Sequence, residues 1–350
     1  MKIVHVITGL QKAAGTTTFV ENVVRELCAR GHEAEVATSA DGFTRCDVMH
    51  IHGLWSGLLH KAGAFAAARG IPVVWSTHGM TAPWSMRWKR WKKLPAWWLY
   101  QRRDLRRAAA IHCTTAQELE WNRRLGFERC FVVPLGTGEV ASGGSGAARA
   151  EGVRRLLFVG RIYPVKGLVN LVRAWGLVAE RLGAGMQGWQ LRIVGPDQAG
   201  HQECLKAEVR ALRLDGMVEF AGPKYGEELS REYADCDCLV LPSFTENFGG
   251  VVIDALAHGK PCIASSSTPW RELRDCGCGW WVSNEPEPLA DAIGEMIGVG
   301  DIRRREMGEK GRALAEDKYS WPAVADSLAA HYGRIVAAAL PGAAIGGDRG

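Results

Sequence analysis

Glu246-Asn-Phe-Gly-Gly-Val-Val-Ile-Asp254 sets two carboxylates eight positions apart around a Gly-Gly step. An apolar run, Cys238-Leu-Val-Leu-Pro242, precedes this stretch, and a helix-like segment beginning Ala255-Leu-Ala-His follows it. A strand, a glycine turn and a helix N-terminus make a ready anion site, because backbone N–H groups and the helix dipole both point at the ligand. Eight residues are a little over two helical turns, which predicts the second acid on the same side as the first and deeper along the helix. An isolated acid pair at this spacing is commonly solvated helix decoration, so the rest of the chain has to decide.

A second cluster lies about 80 residues upstream, Phe158-Val-Gly-Arg-Ile-Tyr-Pro-Val-Lys-Gly-Leu168. A strand ending at Gly160, Arg161 at its tip and Lys166-Gly167 at the next helix start would bring two cations to the carboxyl edge of a sheet. Arg offers phosphate a planar bidentate fork and Lys a point charge. Near the N-terminus, Gly9-Leu-Gln-Lys-Ala-Ala-Gly15 turns from a first strand into a helix, yet meets neither the dinucleotide fingerprint nor the Walker spacing. Gly31 reads as an ordinary helix C-cap. Thr77-His78-Gly79-Met80 follows a fourth strand and reaches the same kind of edge. His50 and His52, also near a strand end, read as structural or acceptor-lining.

Taken together, these residues resemble the retaining GT-B glycosyltransferases, particularly glycosyltransferase family 4 (group 1). Glu246 to Asp254 is similar to the family's Glu-x7-Glu signature, with Asp in place of the second Glu. That shorter acid still accepts ribose hydroxyls with about one methylene less reach. Gly160-Arg161 and Lys166-Gly167 resemble the element that binds the donor diphosphate, and Gly9 to Gly15 resembles the N-terminal glycine loop. The resemblance implies that Glu246 orients donor-sugar hydroxyls, Asp254 holds the ribose, and His78 stands beside the sugar in an interdomain cleft. It implies a donor-binding set of Gly9, Gly15, Gly160, Arg161, Lys166, Glu246, Asn247, Phe248, Gly249, Gly250, Val251 and Asp254. The catalytic residues that the resemblance implies are His78, Glu246, Arg161 and Lys166.

The elements that must position these residues alternate strand and helix. Strands are predicted near Ile3–Thr8, Glu33–Thr38, Val48–His52, Val73–Thr77, Ala110–Thr114 and Cys130–Pro134, then near Arg155–Gly160, Gln190–Gly195, Val218–Ala221, Cys238–Pro242 and Cys262–Ala264. Helices fall between them, such as Thr17–Arg30 and Leu58–Arg69. Such alternation implies an α/β chain with parallel sheets covered by helices on both faces. In such sheets ligands bind beyond the carboxyl ends of the strands. The expected fold is GT-B, two doubly wound Rossmann-like domains facing an interdomain cleft. Residues 1–138 form the acceptor-binding domain, a glycine- and serine-rich linker spans 139–152, and residues 153–318 bind the nucleotide-sugar. A helix over 319–341, beginning around Trp321-Pro322, is expected to cross back to the first domain, leaving 342–350 as a disordered tail.

At 350 residues the chain suits two domains, and its 47% hydrophobic and 23% charged content is ordinary for a soluble protein. No run approaches the length of a membrane span, and the first apolar stretch is too short for a signal peptide. Ten cysteines without an export signal read as reduced thiols. Cys236-x-Cys238 and Cys276-x-Cys278 miss structural-zinc spacing. The expected location is cytoplasmic.

From Arg87 to Arg107 the chain carries nine cations and one acid, with five tryptophans between Trp84 and Trp98. A solvated basic face with inward tryptophans is one reading. Attachment of Trp84–Arg107 to an anionic membrane surface is another, which would place the protein peripherally at the inner face of the cytoplasmic membrane. No base-stacking or groove-reading module supports a nucleic-acid partner.

The expected activity is retaining, metal-independent transfer of a hexose-type sugar from a nucleoside diphosphate to a saccharide or lipid-linked acceptor, as in cell-surface polysaccharide and lipopolysaccharide synthesis, with no cofactor. A GT-B-type nucleotide-sugar epimerase and a non-catalytic nucleotide-sugar-binding scaffold subunit are the alternatives, since fold does not fix function.

Overall fold

The computed structural model describes residues 1–9, 15–138 and 152–339. The linker at 139–152, save its last residue, and the tail at 342–350 lie outside the described residues. So do residues 10–14 of the first glycine loop. The chain divides into two compact units, with breaks at Gly136/Thr137 and Ser320/Trp321.

The first unit carries six parallel strands: β1 (Lys2–Val6), β2 (Glu33–Ala37), β3 (Val48–His52), β4 (Val73–Ser76), β5 (Ala110–Cys113) and β6 (Cys130–Val132). Their order in the sheet is β2-β1-β3-β4-β5-β6. Every residue of β3, β4 and β5 is buried, as expected of central parallel strands covered on both faces, whereas the edge strand β2 alternates. The helix Trp321–Ala339 belongs to this unit. Trp321, Val324, Ala325, Leu328 and Tyr332 recur at helical spacing and bury against Phe19, Val20, Val23 and Leu27 of the helix Gly15–Ala29.

The second unit repeats the plan with β7 (Arg154–Val159), β8 (Trp189–Val194), β9 (Val218–Gly222), β10 (Cys238–Leu241), β11 (Cys262–Ser265) and β12 (Gly279–Val282), ordered β12-β11-β10-β7-β8-β9. The edge strand β12 is absent from the sequence-based expectation. Gly-Trp-Trp-Val is short, only partly buried and has no alternation to betray it. Its start requires glycine, because a Cβ at Gly279 would lie 2.0 Å from the Cys262 carbonyl oxygen. The helix Leu168–Leu182 presents Leu168, Leu171, Val172, Trp175 and Val178 to the core, where the helix Pro286–Gly298 packs beside it.

Trp84–Arg107 is a chain of short helices rather than one basic aromatic helix. Lys89 takes a left-handed conformation between Pro83–Arg87 and Arg90–Ala96, and a π-helical turn at Trp97–Gln101 precedes Arg102–Arg107. Trp97 turns inward against Trp55 and Phe127, while Trp84, Trp88, Trp91 and Trp98 are each more than half exposed.

The join of the returning helix is tight. A Cβ on Gly136 would stand 2.3 Å from the Trp321 ring. Gly136→Ala is therefore expected to lower stability by about 1–3 kcal/mol. Urea unfolding followed by tryptophan fluorescence would check this, and an unchanged midpoint would mean that the ring yields freely.

Candidate functional site

In the second unit the strand order reverses between β10 and β7. The loops leaving these neighbouring strands therefore diverge at their carboxyl ends, the position where open α/β sheets bind ligands. The loop after β7 supplies Gly160, Arg161 and Lys166, and the loop after β10 supplies Ser243 and Glu246. One backbone contact ties these two loops together, and two more tie the β7 end to β8 and the loop that follows it. Phe244 N donates to the Val165 carbonyl at 2.9 Å, Ile162 N to the Pro196 carbonyl at 2.9 Å, and Gly160 N to the Val194 carbonyl at 2.9 Å. Glycine is needed twice at this edge. A Cβ on Gly167 would stand 2.1 Å from the Pro242 carbonyl oxygen, and one on Gly195 would stand 1.8 Å from that of Gly160.

Lys166 and Glu246, 80 residues apart in sequence, form an ion pair with most of each side chain buried. Ser243 Oγ also donates to Glu246 at 2.8 Å. Arg161 is exposed and, among the described residues, bonds only the neutral Gln198, 3.0 Å away. One compensated pair and one uncompensated cation thus share this edge. Phe248 turns its ring into the core against Trp270 and Tyr319, so it can meet a ligand only through its backbone. Its carbonyl accepts from the Trp270 indole at 2.6 Å, and Gly249 follows in a left-handed conformation.

The predicted geometry of the two acids needs correcting. Glu246 lies in the loop, and the helix starts only at Val251 and ends at Ala257, so the acids do not share a helix face. A seven-residue helix also has less dipole than the sequence reading supposed. Asp254 accepts a hydrogen bond from Thr137 Oγ1 at 2.9 Å, and burial of the carboxyl pushes its pKa up to about 6. Cys238, Cys262 and Cys278 are buried thiols whose ionisation burial likewise disfavours.

In the first unit His78 sits beyond β4 in a left-handed conformation at φ 46°, followed by Gly79 at 71°. A fully buried carboxylate holds this turn. Glu118 accepts from Thr77 Oγ1 at 2.7 Å and Gly79 N at 2.6 Å, and its other oxygen accepts from Thr114 N and Oγ1. Sequence reading missed Glu118, although Thr115-Ala-Gln-Glu118 has the capping-box spacing and Thr115 does cap Glu118 N. Also missed was the scale of the histidine cluster: His5, His50, His52 and His112 are buried together under His78. Gly9 and Gly15 bracket the undescribed residues beyond β1.

Residues 146–314 match the family model described as glycosyl transferases group 1, and residues 43–136 match that of a glycosyl transferase 4-like domain. Residues 146–314 thus resemble a group 1 glycosyltransferase domain, and residues 43–136 a 4-like one. It is 35% identical over 206 residues to the D-inositol 3-phosphate glycosyltransferase of Mycobacteroides abscessus, a match covering 56% of this chain and 44% of that relative. The chain spans about half the length of the curated relatives that it matches. Among solved structures, HepE of Anabaena in complex with UDP gives a TM-score of 0.74 at 16% identity, over 95% of this chain and 100% of that one. WaaG, a glycosyltransferase involved in lipopolysaccharide biosynthesis, gives 0.65 at 16% identity over 93% and 99%. The fold is accordingly GT-B, with two Rossmann-like units.

Asp254 gives a pH signature. Its folded pKa is raised from 3.8, so between about pH 4 and pH 6 the folded state binds the extra proton and stability falls as pH rises through that window. Asp254→Asn should therefore leave stability at pH 4 nearly unchanged and raise it at pH 7.5 by an amount on the order of 2 kcal/mol, read by thermal unfolding at both pH values. Equal shifts at both pH values would show that Asp254 does not titrate this way.

Proposed function

We propose that this chain is a group 1 glycosyltransferase that moves a hexose-type sugar from a nucleoside diphosphate to its acceptor with retention of configuration and without a metal. The observation that carries this reading is the cluster of Arg161, Lys166 and Glu246 at the strand-order reversal. As the bond from the anomeric carbon to the diphosphate oxygen breaks, its electron pair leaves with the phosphate. The sugar then becomes oxocarbenium-like. Arg161 and Lys166 stabilise the growing negative charge, the work otherwise given to a metal ion. Glu246, held by Lys166 and Ser243, orients the sugar hydroxyls, and Asp254 takes the ribose. The acceptor hydroxyl attacks from the face that the phosphate leaves, and its proton passes to the departing phosphate oxygen. The role read for His78, at the carboxyl edge of the first unit's sheet, is contact with the transferred sugar.

The solved complex of HepE with UDP makes UDP-sugars the first donors to try. The name of the M. abscessus relative suggests an inositol phosphate acceptor. The surface of this chain favours a lipid-linked saccharide instead, because four exposed tryptophans stand among a run of lysines and arginines. Trp at headgroup level and Lys/Arg on phosphate, worth about 1 kcal/mol per cation, would hold the enzyme on anionic lipid at the inner face of the cytoplasmic membrane. None of the helices among the described residues is long and apolar enough to cross a membrane.

Arg161→Ala should cut turnover of UDP-glucose about 10²-fold or more while leaving thermal stability unchanged, since this residue is exposed. Near-wild-type turnover would remove Arg161 from the mechanism, and loss of activity in EDTA would overturn metal independence. For the membrane, the protein should sediment with phosphatidylglycerol vesicles at low salt and be released at high salt. Replacing Trp88, Trp91 and Trp98 by Ser should abolish that binding; absence of binding by the unaltered protein at low salt would end the idea.

A further inference from the structure

Two hydrogen-bonded chains of imidazoles run through the first unit. In one, His112 Nε2 donates to the Val133 carbonyl at 2.8 Å, which leaves His112 Nδ1 to accept from Ser76 Oγ at 2.7 Å. Ser76 Oγ then accepts from His50 Nε2 at 2.6 Å, and His50 Nδ1 accepts from the Tyr332 hydroxyl. A single backbone carbonyl thus sets the direction of every proton in that chain.

The other chain leads to His78. His5 Nδ1 lies 3.0 Å from His52 Nε2, and His52 Nδ1 lies 3.1 Å from His78 Nε2. Burial keeps the rings neutral, lowering His5 to about 3, His78 to about 4 and His52 well below its ordinary value. A neutral imidazole has one N–H and one lone pair. Because each contact joins an Nδ1 to an Nε2, the rings must all be Nδ1–H or all Nε2–H. His5 Nε2 decides between them. It is buried and has no hydrogen-bond partner among the described residues. Orphaned buried N–H groups are rare, so this atom is the bare nitrogen and the proton sits on Nδ1. The proximity of His5, His50 and His52 does not make them a ready metal centre, since both ring nitrogens of His50 and of His52 already have partners.

We propose that His5 and His52 are positioning residues that hold His78 in its Nδ1–H tautomer, so that this ring meets an oxygen of the sugar nucleotide as a neutral hydrogen-bond donor. The second half of that statement rests on the role given to His78 above; the first does not. The left-handed backbone at His78 fits it, since non-glycine residues are held in such conformations where the surroundings over-determine them, often at functional sites. His52 and Phe19 fix the ring plane: His52 lies within 25° of it with 5.3 Å between centroids, and Phe19 meets it edge-on at 6.1 Å.

The test is the tautomer itself, read from two-bond 1H–15N correlation spectra of the full chain labelled with 15N-histidine at pH 7.5. His78 should show a protonated Nδ1 and a bare Nε2. His5→Leu should release it into a mixture of tautomers and raise KM for UDP-glucose about tenfold, the equivalent of one hydrogen bond. His5→Asn, whose amide N–H replaces Nδ1–H, should restore both. An Nε2–H or mixed His78 in the unaltered protein would overturn the proposal, and that spectrum does not depend on either variant folding. A His78 tautomer indifferent to His5→Leu would overturn it too. Wild-type turnover by His78→Ala, with the Nδ1–H tautomer present in the parent, would overturn the donor role alone.

Discussion

Where β10 meets β7 the sheet order reverses, and consecutive loops that would elsewhere pack over the same strand ends are driven apart. The gap this opens lies at the strand ends, beyond the ladder hydrogen bonds that satisfy the backbone inside the sheet. Side chains from two distant stretches meet across it. Lys166 and Glu246 can pair only because β7 and β10 are neighbours in space despite the 80 residues between them. Two glycines stand at this edge because the loops pass within contact distance of one another's carbonyls, leaving no room for a Cβ at Gly167 or Gly195. Backbone contacts fix the loops, the loops fix the ion pair, and the ion pair fixes Glu246.

The first unit handles buried polarity differently. Its sheet centre holds five histidines, yet the groups are kept neutral and linked to one another, to Ser76, to Tyr332 and to a backbone carbonyl. A neutral network of this kind avoids the desolvation penalty of buried charge, provided nearly every polar atom is satisfied. The tyrosine comes from the returning helix, so that helix completes a network begun by β3, β4 and β5. Glu118 does comparable work for the turn carrying His78, gathering four donors on one carboxylate.

Much of this was legible in the sequence, for identifiable reasons. Buried parallel strands read as unbroken apolar runs, and eleven of the twelve strands fall close to where those runs predict them. Gly160-Arg161 at a strand tip and Lys166-Gly167 at the next helix start pointed to the two cations, and the Gly-Gly step after an apolar run pointed to Glu246. What escaped was set by tertiary contact. The strand β12 exists because β11 offers it an edge. The true place of Asp254 depends on Thr137, far away in sequence. His5 and His112 look like ordinary polar interruptions of a strand until neighbouring strands bring them into register.

The distribution of charge at the second unit's sheet edge bears on how an anion would be met there. Lys166 is already neutralised by Glu246, so among the described residues this edge carries one uncompensated cation, Arg161, and avoids two unpaired charges near a buried surface. Breaking a buried pair by removing one partner costs on the order of 3–5 kcal/mol, which is why neither residue can be regarded as a free charge awaiting a ligand. A diphosphate entering the edge supplies negative charge that Lys166 can share without leaving Glu246, and Arg161 has only a neutral amide to give up. The neutral histidine chain then has a physical rationale of its own. A neutral His78 needs no counter-ion, so the chain that fixes its proton also spares the first unit an unpaired buried charge.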